Sequence, residues 1–194
     1  MLDTKPISAK SLGDYFHVNG QIIEKEIALG KNTAGEIGVI NSAGRASWNS
    51  FANIFKANAD EILEATNRIK NHRLTVPCGG NYGYLEGTVN SAVIDNKMWR
   101  SGTANLQTEP QLFTAIPVEG SGGATWLRNT DSEYKMLNKL ANDLGGTSGS
   151  IKPNITGELK IISENPYCIS CSGIIQQFNE MFPNLKLILV DGAK

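Results

Sequence analysis

Residues 157–190 read GELKIISENPYCISCSGIIQQFNEMFPNLKLILV. Leu159-Lys160-Ile161-Ile162 has the apolar density of a short strand. Cys171, Ile174, Ile175, Phe178 and Phe182 recur at three- and four-residue steps, the period of a helix with one buried face, and Pro183 ends it. Leu185 to Val190 is nearly all apolar, as a strand covered on both faces would be. The stretch therefore predicts strand, helix, strand. Its first connection carries Asn165-Pro166-Tyr167-Cys168-Ile169-Ser170-Cys171. Two cysteines three apart at a helix start point their sulfurs to one side of the first turn. Free amide N–H groups and the positive end of the helix dipole favour the thiolate there. Such a pair binds a metal or carries out redox chemistry.

A second helix start lies upstream, at Asp131-Ser132-Glu133. Tyr134, Leu137, Leu140, Ala141 and Leu144 make its apolar face, and Gly145-Gly146 stops it. Thr130-Asp131-Ser132-Glu133 matches a capping box, with Thr130 as N-cap and Glu133 at the third helical position. The same Glu133 also suits an acid/base beside a metal. The C-x-x-C is equally open by itself: a strand followed by C-x-x-C at a helix start fits a thioredoxin-type redox pair, and half a zinc ribbon is a third option.

Before these motifs the signals are looser. Val18 to Gln21 reads as a turn and Gln21 to Glu24 as a short strand. Trp48, Phe51, Phe55, Ile62, Leu63 and Ile69 predict a helix over 46–71, with His72 at its end. Pro77 to Asn81 is a loop and the expected boundary between an N-terminal extension with a long helix (1–79) and a catalytic domain (80–194). Residues 82–102 predict an antiparallel hairpin or meander, interrupted at Gly87 and turning at Asp95-Asn96-Lys97; 103–125 predict loop. The fold class is α/β: a β-β-α-β-α-β sheet with helices packed on it.

Composition bounds the partners. The 194 residues are 40% hydrophobic and 19% charged, which suits a globular chain and not a disordered tail. No apolar run has the length of a membrane span, so no membrane partner is expected. Met1 to Lys5 lacks the start of a signal peptide, so export would need another route. A net charge of −1 argues against a large nonspecific nucleic-acid surface and leaves room for a local basic groove. Lys135, Lys139, Lys160 and Lys186 are candidates for phosphate contact. Three cysteines argue against a disulfide framework.

Together, D-S-E and P-Y-C-I-S-C resemble the zinc-dependent cytidine deaminase superfamily, whose signature is H-x-E on one helix and P-C-x-x-C on the next. D-S-E-Y-K-M-L-N-K-L-A, G-E-L-K-I-I-S-E-N-P-Y-C-I-S-C-S-G-I-I-Q-Q-F and F-P-N-L-K-L look like one branch, the deaminase domains of bacterial polymorphic toxins. Two departures stand out. Asp131 occupies the usual His or Cys position, although a carboxylate is an acceptable zinc ligand. Tyr167 is inserted between Pro166 and Cys168. The resemblance implies a cytidine deaminase-like fold over about 80–194 and a zinc ion held by Asp131, Cys168 and Cys171, with Cys78 an alternative third ligand. It implies Glu133 as the proton carrier in converting cytosine to uracil. Tyr167 is expected either to stack on the base or to pack in the core, and Trp126 and Arg128 to line the mouth. The implied substrate is a nucleic acid, DNA favoured over RNA. The implied setting is a larger toxin, secreted without a signal peptide, acting in the target-cell cytoplasm and neutralised by a cognate immunity protein. The alternatives are a free cytidine or nucleotide deaminase and a non-catalytic zinc module.

Overall fold

The computed structural model describes residues 28–31, 37–40, 53–76, 79–104, 106, 108–119 and 123–194. In chain order the elements are β1 (Ala28–Lys31), β2 (Ile37–Ile40), β3 (Ile54–Lys56), α1 (Ala59–Thr75), β4 (Tyr82–Val89), β5 (Ala92–Val93) and β6 (Trp99–Arg100). They continue with β7 (Pro117–Glu119), β8 (Thr125–Leu127), α2 (Ser132–Asp143), β9 (Gly157–Ser163), α3 (Ile169–Met181) and β10 (Leu185–Val190). The expected turn and strand at 18–24, together with His17, Trp48, Phe51 and Cys78, lie outside the described residues.

The main sheet runs β3-β10-β9-β4-β5, with β6 also on β4. β9, β10 and β3 are parallel, and β4 joins β9 antiparallel. Alternation along the strands supplies two apolar faces. Leu85, Leu159, Ile161 and Leu187 face α2 and α3, where Leu137, Ile174 and Phe178 complete one core. Tyr84, Ile162 and Val190 face the other way and meet Ala65 and Ile69 of α1. The chain has a mixed α/β architecture, with the strand–helix–strand unit at 157–190 in place.

Four local expectations are corrected. Among the described residues, the helix expected over 46–71 begins at Ala59, because Asn58 caps it. Asn58 Oδ1 accepts the Glu61 N–H and Glu61 Oε2 accepts the Asn58 N–H, both at 2.9 Å. Ile54–Lys56 are extended instead, added beside β10. β4 is not interrupted at Gly87: a Cβ there would meet Glu158 O at 2.1 Å, so glycine is what lets the strand continue. The tight hairpin turn is Asn90-Ser91, both at positive φ, as a two-residue type I′ connection requires. Finally, 103–125 is not all loop: β7 and β8 form an antiparallel ribbon that continues into Arg128.

Candidate metal centre and acid/base

α2 and α3 lie side by side on one face of the sheet and bring their N-termini together. Asp131 is the N-cap of α2 and Cys168 the N-cap of α3. Two positive dipole ends therefore converge where three ligand atoms collect. The sulfurs of Cys168 and Cys171 are 3.3 Å apart, and Asp131 Oδ2 lies 3.7 and 3.4 Å from them. A zinc ion with bonds of about 2.3 Å to sulfur and about 2.0 Å to oxygen spaces tetrahedral ligands about 3.5–3.8 Å apart. The donor set and its spacing fit that ion. Among the described residues no other group of three such side chains converges.

Why Asp131 is available is visible at the start of α2. Its side chain makes no capping bond. The capping acceptor comes from another loop: Ser101 Oγ accepts the Ser132 N–H at 3.1 Å. Lys135 holds that loop. Its ammonium donates to the carbonyls of Arg100 at 2.6 Å and Gly102 at 2.9 Å, and also to Ala104. Burial pushes the Lys135 pKa down to about 8. Removing the ammonium would leave carbonyls unanswered and free the capping loop. Lys135→Met is expected to destabilise the chain by about 2–4 kcal/mol, read by urea unfolding.

Glu133 is not a capping residue. The N-cap is Asp131 rather than Thr130, which puts Glu133 at the second helical position. Its carboxylate turns inward and is 2% exposed. Ser163 Oγ donates to Oε1 at 2.7 Å, Asn81 Nδ2 to the same oxygen at 3.0 Å, and Ser132 Oγ to Oε2 at 2.9 Å. Burial pushes its pKa up, opposed by its own backbone N–H and the Ser163 and Ser132 hydroxyls. Burial likewise raises Asp131, against the pull of Arg128. The contact between the sulfurs draws the Cys168 thiol below its ordinary range and pushes that of Cys171 well above it.

These groups line one cleft of about 710 Å³, which is ample for a nucleoside. Trp126 and Arg128 reach its mouth, with the guanidinium 4.2 Å from the indole centroid. Arg128 Nη1 is 3.8 Å from Asp131 Oδ2, and its buried Nε has no partner in the structure. Arg73 also lines the cleft, paired with Glu164.

Of the two readings of Tyr167, the structure favours packing in the core over stacking on a base. Tyr167 does not face the cleft: it is 4% exposed and its hydroxyl donates to Ile161 O or Val190 O, tying the sheet to the connection before α3. The inserted residue is thus absorbed by the core. Tyr167→Phe should cost about 1–2 kcal/mol of stability in thermal or urea unfolding and leave turnover unchanged. The four lysines all have partners within the chain. Besides the buried Lys135, Lys139 pairs with Asp143 and Glu109, Lys160 with Glu61 and Glu86, and Lys186 with Glu158. Missed from sequence were Asn81, Ser101 and Ser163, short polar residues that only the fold brings to Asp131 and Glu133.

No curated protein and no solved structure matches the chain. A family model does: the toxin-deaminase model, described as the BURPS668_1122 family of deaminases, matches residues 62–192. That span contains Asp131, Glu133, Cys168 and Cys171 and covers more than half of the chain. By that match this chain belongs to the toxin-deaminase family, a bacterial branch of the superfamily that its two motifs resemble.

Proposed function

We propose that the chain is a zinc-dependent deaminase that converts cytosine to uracil in nucleic acid, DNA favoured, as the effector domain of an interbacterial toxin. One observation carries the reading. A triad that fits a metal shares a cleft with a buried carboxylate that is neither part of the triad nor engaged in capping. A purely structural metal site has no use for that carboxylate.

Asp131, Cys168 and Cys171 would hold the zinc and leave one position open. When bound there, zinc supplies Lewis acidity that makes water a nucleophile near neutral pH. Glu133 accepts a proton from the attacking water and passes it to the ring nitrogen N3. A second proton passes through the same carboxylate to the departing amine, so water adds at C4 and ammonia leaves. Burial supports this cycle, because a raised pKa narrows the gap between holding and releasing the proton. At the mouth, Trp126 offers an exposed indole for a base, with the Arg128 guanidinium 4.2 Å from its centroid on one side.

A base within a strand must be unstacked to enter such a cleft, so single strands are the expected best substrate. No helix among the described residues is long and apolar enough to cross a membrane. Delivery as part of a larger toxin, action in the target-cell cytoplasm and a cognate immunity protein complete the reading. The test incubates the zinc-loaded chain with cytosine-containing DNA, the matching RNA and free cytidine. Uracil in DNA supports the reading. Turnover of cytidine alone places the chain with the nucleoside deaminases instead.

A further inference from the structure

Asn81 precedes β4, and its side chain reaches two segments distant in sequence, the start of α2 and residues 163–165. On one side its Oδ1 accepts the backbone N–H of Asn165 at 2.9 Å, in the connection that leads to Cys168. That bond settles the amide's orientation and turns the NH₂ toward the cleft. There Nδ2 is 3.0 Å from Glu133 Oε1 and 3.1 Å from both Ser132 Oγ and Ser163 Oγ. Ser132 Oγ also donates to the Glu133 carboxylate, and Ser163 Oγ lies 2.7 Å from both Glu133 Oε1 and Asn165 O, its one proton serving either. With two N–H bonds and three acceptors in reach, the amide holds Glu133 directly and one of the two hydroxyls beside it.

We propose that Asn81 is the positioning residue of Glu133, orienting its carboxylate toward the substrate and registering it against the segment that carries Cys168. The proposal rests on the deaminase reading above. A carboxylate that serves successive proton transfers must keep one place, and a geometry loosened by a fraction of an ångström slows every transfer. A neutral amide does this without an opposite charge in contact with the carboxylate.

Asn81→Asp is nearly isosteric. It keeps the acceptor for the Asn165 N–H and replaces the donor with an oxygen facing Glu133. Asn81→Ala removes both ends. The experiment uses the zinc-loaded full chain and a single-stranded oligonucleotide with one cytosine, and measures kcat, KM, zinc content and Tm. For Asn81→Asp, kcat is expected to fall about 10- to 100-fold with KM within about twofold and zinc content unchanged. In a Glu133→Gln background the same substitution should remove nothing further, since both act through one group. Asn81→Ala should lose kcat likewise. If either variant folds, binds zinc and keeps wild-type kcat, the proposal is overturned. It is also overturned if KM rises while kcat holds, which would make Asn81 a substrate contact, or if neither variant folds, which would make it a structural residue. Wild-type turnover by Glu133→Gln, or no uracil from the wild-type chain, removes instead the reading beneath it.

Discussion

Glu133→Gln should abolish uracil formation while leaving a folded, zinc-loaded protein. General acid–base catalysis contributes on the order of 10²- to 10⁴-fold, and here a single carboxylate serves more than one transfer, so kcat should drop by at least that range. The surroundings explain why the fold survives. Ser132 Oγ, which donates to Oε2, can rotate its proton away and accept from the new amide, while the glutamine oxygen takes the place of Oε1 facing Asn81 and Ser163. The cap of α2 is untouched, because Ser101 supplies it and Glu133 does not. Circular dichroism, metal content and uracil formation on one preparation check this. Near-normal turnover by a folded, zinc-loaded variant would end the assignment.

Cys171→Ser should remove the metal. Its sulfur is buried and lies 3.3–3.4 Å from the other two ligand atoms. A serine hydroxyl is a harder, protonated donor, and its shorter bond does not reach the same point. The wild-type chain should carry one zinc per molecule; the variant should carry none and make no uracil. The loss should also register in stability. A ligand present at about 1,000 times its Kd stabilises a chain by about 4.1 kcal/mol. At this size that corresponds to a Tm difference of about 8–16 °C between zinc-loaded and chelator-treated wild type. Cys171→Ser should show no such difference. An active wild-type chain with no metal, or one with a Cys168–Cys171 disulfide, would contradict the site.

The two halves of the site were legible because each is local. C-x-x-C after a strand, and D-x-E before an apolar helix, declare their helix starts through residues within one turn of each other. The strand–helix–strand reading of 157–190 was legible for the same reason, since Leu159, Ile174 and Leu187 follow short periods. What stayed hidden depends on distant partners. Thr130 to Glu133 has capping-box spacing, yet the cap comes from Ser101, which is 31 residues before Ser132 and held there by buried Lys135. Tyr167 beside a reactive cysteine invites an aromatic role in binding, and only the fold shows its hydroxyl between two strand carbonyls. The first helix was misplaced because aromatic periodicity through Trp48 and Phe55 hid the Asn58–Glu61 cap, a local signal that was present. β7 and β8 are three residues each, too short for any period to reveal.

Cytosine deamination in DNA leaves a permanent record, and that record is the most direct test. The chain should be expressed in a bacterium lacking uracil repair, beside the Glu133→Gln variant, and both genomes sequenced after outgrowth. An excess of C-to-T changes, with G-to-A on the complementary strand, is expected with the wild-type chain and absent with the variant, and the flanking bases would report its sequence preference. Genomes indistinguishable between the two, from cells in which the zinc-loaded wild-type protein is present, would contradict the account.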